Sequence, residues 1–437
     1  MERFALSRMK EWKENENRKP LIIRGARQVG KTWIMKTFGQ QYFEKTAYVN
    51  FDNNARMKQV FEGDLDIERL VLAISAETGV SIEAENTLII FDEIQEVPKA
   101  LTSLKYFHEN APQYAIVAAG SLLGVALHQG TSFPVGKVDF LDLYPLNFRE
   151  FLCAMGEKQF VSMLDSCDTQ MVTVFKTKYI ERLREYYFVG GMPEVVKDFS
   201  EKKDYNRVRA IQKNLINYYQ QDFSKHAEIK LVPRLNLVWN SIPMQLAKEN
   251  KKYIYGQVRE GSRAKDFELA IQWLLDCGLI HKVQRIQKPD LPLKAYIDFD
   301  AFKLFLVDIG LLIAMTDLDA KVIIEGNKIF TEFKGSLTEQ YILQQLISDV
   351  GVIPYYYSTQ NSKGEIDFLV QGKTSVIPIE VKAEENLKAK SLKAFCEKYQ
   401  PSYAVRTSMS DYREQDWMTN IPPVSYTHLR AHETRSN

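Results

Sequence analysis

Short apolar runs recur through the first third of the chain, at residues 21–23, 47–51, 88–91 and 115–119, separated by longer stretches with helical spacing. Runs of that length read as buried strands, and their alternation with helices predicts a parallel sheet covered on both faces. From residue 152 to 230 the pattern turns helical and charged, broken by Gly190, Gly191 and Pro193. Between 231 and 317, Phe267, Ala270, Ile271, Leu274 and Leu275 repeat at helical spacing, after which Cys277 and Gly278 turn the chain into a strand over 282–286. Residues 366–370 and 376–381 then read as paired strands of a hairpin, followed by a helix over 388–399.

The first apolar run leads into Gly25, Ala26, Arg27, Gln28, Val29, Gly30, Lys31 and Thr32, which spell G-x-x-x-x-G-K-[ST] between a strand and a helix. Glycines at those positions let backbone N–H groups turn inward toward phosphate oxygens, and the following helix adds its positive end. Lys31 is placed to reach the β- and γ-phosphates of ATP, and Thr32 to give its hydroxyl to Mg²⁺. The run at 88–91 ends in Asp92 and Glu93, an arrangement in which the Asp supports the Mg²⁺ shell and the Glu polarises the attacking water. A solvated acidic pair after a core strand is the alternative. The run at 115–119 ends in Gly120 and Ser121; Ser121 is a candidate γ-phosphate sensor, or simply part of a turn and helix N-cap.

Composition narrows the setting. The chain has 437 residues, 45% of them hydrophobic, and a formal net charge of +1. No stretch approaches the roughly 18 apolar residues a membrane span needs. Residues 1–19 are too charged for a signal peptide. Cys153, Cys167, Cys277 and Cys396 lack the spacing of a zinc site or a disulfide framework, so a cytoplasmic protein is expected. Residues 424–434, V-S-Y-T-H-L-R-A-H-E-T, read as the translation of a transposase adapter used in sequencing libraries. Residues 424–437 are therefore set aside as a sequencing scar that has replaced the natural C-terminus, and His428 and His432 carry no metal-site meaning. Without Arg430, Glu433 and Arg435 the formal charge is zero, so any contact with DNA needs a local basic patch.

The phosphate loop, the strand ending in Asp92-Glu93, the segment Y-P-L-N-F-R-E-F at 144–151 and Gly190-Gly191-Met192-Pro193-Glu194 together resemble a prokaryotic family of uncharacterised AAA-like ATPases. In that family the ATPase is joined to a C-terminal domain of unknown function resembling restriction endonucleases. The resemblance implies an α/β chain: an AAA-like P-loop ATPase domain at 1–151, a helical lid at 152–230, a winged-helix-like domain at 231–325 and a restriction-endonuclease-like domain at 326–423. The segment Q-D-F-S-K-H at 221–226 also looks like a family signature. Relatives often carry Gly-Arg before Y-P-L where this chain has Gly136-Lys137. Lysine is a poor substitute for a planar, bidentate arginine finger, so Lys137 is given no catalytic role, and Arg27 and Arg149 are no better supported.

Two further regions suggest chemistry. The helix, glycine turn and strand between 264 and 286 resemble the recognition helix and wing of a winged helix. Lys251, Lys252, Arg259, Arg263 and Lys265 stand where they could neutralise DNA phosphates; protein contact or a solvated charged face are the alternatives. In the hairpin, Asp367, Glu380 and Lys382 share a face because strand side chains repeat every two residues, and Glu339 lies on a helix expected to point at that sheet. Together they resemble the E…D…E-x-K core of restriction endonucleases. Asp367 and Glu380, completed by Glu339, would hold hard divalent cations, and Lys382 would steady the attacking water or the phosphate charge. Tyr399 is an accessory candidate or a core aromatic.

Three functions follow. In the leading one, the chain is an ATP-binding, Mg²⁺-dependent ATPase acting as a nucleotide-driven switch, with a partner protein or a second copy completing the site. The others are an ATP-gated metal-dependent DNA nuclease, and an ATP-regulated module whose nuclease-like domain only binds.

Overall fold

The computed structural model describes residues 1–120, 133–248, 251–325, 331–359, 364–383 and 389–429, excluding the side chains of Thr331 and Glu332. The candidate Ser121 lies outside the described residues. The chain divides into an N-terminal unit, Glu2–Tyr144 with Asp276–Leu279, and a C-terminal unit holding Pro145–Leu275 and Ile280–Asn437.

The N-terminal unit is built on the predicted parallel sheet. Its strands are β1 (Leu21–Arg24), β2 (Lys45–Asn50), β3 (Thr87–Asp92), β4 (Ala115–Ala119) and β5 (Asp139–Asp142), ordered β2-β3-β4-β1-β5. Every pairing is parallel. β3 and β4 are buried along their whole length, which is why they read as unbroken apolar runs. Phe51, Phe61 and Phe91 lock the core edge to face, with ring centroids 5.3–5.7 Å apart. The helix Ile67–Thr78 covers one face, capped by the Asp66 carboxylate accepting from the Arg69 amide.

The C-terminal unit opens with the expected helices, among them Phe148–Ala154, Lys176–Val189, Pro193–Lys202 and Tyr205–His226. Q-D-F-S-K-H forms the last turn of Tyr205–His226, where Phe223 packs edge-on against Trp239 and Trp273. The helix Ala264–Asp276 buries Phe267, Ala270, Ile271 and Leu274 as its spacing predicts, and Trp273 with them. It leads into β6 (Ile280–Ile286), whose partner β7 (Ile297–Leu306) runs antiparallel to it. These two strands are not a free-standing wing. β6 also pairs in parallel with β8 (Tyr355–Ser358), and the sheet continues through β9 (Glu365–Gln371), β10 (Val376–Val381), β11 (Val405–Thr407), β12 (Arg413–Gln415) and β13 (Met418–Ile421). Its order is β12-β13-β11-β10-β9-β8-β6-β7, one mixed sheet of eight strands.

Gly190 and Gly191 are explained by crowding. A side-chain carbon on Gly191 would lie 2.1 Å from the Leu146 carbonyl oxygen, and one on Gly190 2.2 Å from an Asp308 carboxylate oxygen. The fully buried Asp308 accepts hydrogen bonds from the amides of Gly191 (2.6 Å) and Leu311 (3.0 Å), joining this turn to the helix Ile309–Met315.

Residues 424–429 of the adapter-like segment are packed into the unit: Val424, Tyr426 and Leu429 are buried, and the Tyr426 hydroxyl donates to Asp349. His428 Nδ1 lies 2.9 Å from the Ser425 carbonyl oxygen. Among the described residues no helix is long and apolar enough to cross a membrane.

Candidate nucleotide site and C-terminal carboxylate cluster

The phosphate loop connects β1 to the helix Lys31–Tyr42. A side-chain carbon on Gly25, at φ +147°, would sit 2.1 Å from the Leu143 carbonyl oxygen, so the close approach of the segment leaving β5 requires glycine. Lys31 is buried and its ammonium spans the loop, donating to the carbonyls of Gly25 (2.9 Å) and Ala26 (2.8 Å). Burial pulls its pKa down to about 8, against the opposing pull of Glu93 and Asp92. Gln28 adopts a left-handed backbone at φ +65°. Val29 is buried, and its carbonyl accepts from the Arg3 guanidinium at 3.0 Å.

β4 lies between β1 and β3, so Asp92 faces the loop from two strands away. The Thr32 hydroxyl donates to Asp92 Oδ2 at 2.7 Å. Tyr48 on β2 donates to the same oxygen at 2.9 Å, and the Glu93 amide donates to Oδ1 at 3.1 Å. Burial and the Asp92 charge raise the Tyr48 phenol well above its usual range, so it remains a donor. A magnesium ion fits this pair, since a threonine hydroxyl and a carboxylate are hard oxygen donors already in contact. Glu93 takes a left-handed backbone at φ +51°, uncommon outside glycine, and its carboxylate accepts from the Gln95 amide at 2.7 Å.

Tyr48, Gln95 and Arg3 are the residues the sequence reading missed. Tyr48 had a signal: it sits two residues before Asn50, which pairs with Asp92, and therefore points to the same face of the sheet. Gln95 and Arg3 had none, because their roles depend on a turn geometry and on a contact between distant segments.

The arginine-finger candidates separate. Lys137 pairs with Glu109 at 2.9 Å. Arg149 is buried, bonded to Asp349 at 3.1 Å and paired with Asp165, so it belongs to the core of its own unit.

In the C-terminal unit, the register that sets Ile379 opposite Phe368 brings Glu380 beside Asp367. Asp367 Oδ2 accepts from the Val381 amide at 2.7 Å. Glu380 pairs with Lys382 at 2.6 Å, and its other oxygen accepts from the Leu392 amide at 3.3 Å. Glu339, on the helix Thr331–Gln345, is buried and pairs with Lys251, while its second oxygen lies 3.8 Å from Lys303 on β7. Lys303, fully buried, also pairs with Glu365. Burial alone would lower the Lys303 pKa, but Glu365 and Glu339 outweigh it and hold the ammonium charged. Burial and the neighbouring Glu339 push Asp367 up to about 7.

A divalent cation does not fit this cluster as it stands. Each carboxylate has one oxygen engaged by a lysine or a backbone amide, the buried second oxygen of Glu339 has only Lys303 at 3.8 Å and no hydrogen bond, and among the described residues no three His, Cys, Asp or Glu side chains converge as metal ligands. Lys251, expected to face DNA, is turned into the cluster instead, whereas Arg259, Arg263 and Lys265 are exposed. Tyr399 is half-buried, packed against the C-terminal core, with its hydroxyl 2.8 Å from that of Tyr357.

Three family models match successive parts of the chain. Residues 17–152 match the AAA domain family, residues 180–322 a domain of unknown function, DUF8612, and residues 334–426 another, DUF4143. No curated protein sequence matches the chain. Similar solved structures include the Walker-type ATPase Paby2304 of Pyrococcus abyssi, 14% identical over 72% of this chain and 95% of that one, with a TM-score of 0.44. The Aeropyrum pernix ORC1 protein in complex with DNA is 13% identical over 71% of this chain and 91% of its own, with a TM-score of 0.27. Cdc6p from Pyrobaculum aerophilum is 9% identical over 74% and 93%, with a TM-score of 0.24. Sequence match, strand order and loop geometry converge on one statement: residues 17–152 form an AAA-type P-loop domain, the fold of ATP-binding ATPases.

Proposed function

We propose that the protein is a Mg²⁺-dependent ATPase acting as a nucleotide-driven switch, with the C-terminal unit as its effector. The observation that carries this reading is the contact of Thr32 with Asp92 beside the buried Lys31, with Glu93 next in the chain. On binding, the Lys31 ammonium would leave the loop carbonyls for the β- and γ-phosphates. Thr32 and Asp92 would hold the magnesium shell, which neutralises phosphate charge. Glu93 would orient or deprotonate the attacking water. The catalysis is positioning and charge neutralisation, with no covalent intermediate. An arginine from a second copy or a partner protein would complete the site, since Arg149 is committed to Asp349 and Asp165.

The test is ATP binding and turnover by the wild type, Lys31→Ala and Glu93→Gln. Lys31→Ala should lose binding. Glu93→Gln should bind ATP while turning over at least about 100-fold more slowly. Normal turnover in both variants would overturn the assignment.

The ATP-gated DNA nuclease reading needs a cation among Glu339, Asp367 and Glu380, and the lysine pairing of Glu339 and Glu380 weighs against it. Plasmid cleavage in Mg²⁺ or Mn²⁺ that disappears in Lys382→Ala would restore it. DNA contact through Arg259, Arg263 and Lys265 is a separate proposal, tested by the salt dependence of duplex binding.

A further inference from the structure

Lysines stand where a cation would be needed in the C-terminal cluster. Three carboxylates, the buried Glu339 and the partly exposed Glu365 and Asp367, come from one helix and one strand to surround Lys303 of β7. Lys303 has no exposed surface, and Glu339 retains only 4% of its own. Buried carboxylates need a counter-charge, and removing one partner from such a group is strongly destabilising. Here the counter-charges belong to the chain: Lys303 between Glu365 and Glu339, Lys251 on Glu339, and Lys382 on Glu380. The Lys251 and Lys382 side chains, 11% and 32% exposed, are the two with access to solvent.

We infer that Lys251 acts as a resident cation that closes this cluster to divalent metals, so the nuclease-like constellation is a self-neutralised structural core. Lys303 supplies the buried half of the charge and Lys251 the half at the rim. Lys251 reaches Glu339 from 88 positions away in the chain and ties the segment before β6 to the helix that packs on the sheet. This assignment is independent of ATP turnover.

The experiment is a Mn²⁺ titration of the nucleotide-free full chain, followed by electron paramagnetic resonance of free Mn²⁺. Variants are Lys251→Met, which keeps the apolar stem, Lys251→Arg, Glu339→Gln, and Lys251→Met combined with Glu339→Gln. Circular dichroism establishes that each is folded. Counting only binding that Glu339→Gln removes, which separates this cluster from Thr32 and Asp92, the wild type and Lys251→Arg should show no saturable site below about 1 mM. Lys251→Met should gain a site at least about tenfold tighter, because the uncovered Glu339 carboxylate recruits the ion, and the double variant should lose it. Saturable wild-type binding that is weakened by Glu339→Gln would overturn the proposal. A folded Lys251→Met chain as silent as the wild type would equally overturn it, since Lys251 would then not be what closes the cluster. If Lys251→Met does not fold, the wild-type and Glu339→Gln titrations still decide whether the cluster takes metal.

Discussion

Asp92 illustrates how much one carboxylate can organise: Thr32 and Tyr48 donate to one oxygen and the Glu93 amide to the other. Beside it, the Gln95 side-chain amide, in the turn after β3, donates to the Glu93 carboxylate. Gln95→Ala should therefore lower kcat several-fold and leave the affinity for a fluorescent ATP analogue unchanged, the signature of a positioning residue. Asp308 sets a different test. Burial raises its pKa to about 6, against the lowering effect of the Gly191 and Leu311 amides. The folded chain thus holds this proton more tightly than the unfolded chain, whose value is near 3.8. Its contribution to stability is greatest below the unfolded value, falls as pH rises toward 6 and stays low above, by at most about 3 kcal/mol. Urea melts from pH 4 to 7.5 should show this component in the wild type and lack it in Asp308→Asn, read as the difference between the two curves.

At the scale of elements, close approaches decide more than propensities do. Gly191 packs against the Leu146 carbonyl, and Gly310 against that of Val189 from more than 100 residues away, so distant segments meet backbone to backbone. Gly191→Ala should cost about 3 kcal/mol or more, since backbone has to move. Gly256→Ala, with nothing within 4 Å and no unusual backbone angle, should be neutral or stabilising by up to about 1 kcal/mol. Denaturant midpoints of the two variants make the comparison. The helix Thr331–Gln345 carries a second lesson. Gln340 both donates to and accepts from the Leu306 backbone, Gln344 accepts from the Ile309 amide, and Gln345 from the Phe148 amide. These glutamines are buried, satisfying strand and helix ends that would otherwise lie dry.

For the molecule as a whole, each unit has its own core, around Phe51, Phe61 and Phe91 in one and Leu369, Leu392 and Phe395 in the other. Mg·ATP at about 100 times its Kd should stabilise the N-terminal unit by about 2.7 kcal/mol, visible as an upward shift of its calorimetric transition and absent in Lys31→Ala. Truncation after Pro423 removes the buried Val424, Tyr426 and Leu429 and the hydroxyl bonded to Asp349. It should lower the melting temperature of the C-terminal unit while leaving nucleotide binding intact, since that site lies wholly in the other unit.

The parallel sheet, its phosphate loop and the succession of Lys31, Thr32, Asp92 and Glu93 were legible in the linear order of residues, because each depends on neighbours in the chain: an apolar run, a glycine turn, an acidic strand end. That β6 and β7 join the C-terminal sheet emerges from the folded chain, since β-pairing between distant strands leaves no local period. Folding alone placed Lys251 and Lys303 among the carboxylates of a motif that in one dimension looks ready for metal. A buried charge is identified by what surrounds it, and those surroundings are assembled from segments that the linear pattern keeps apart.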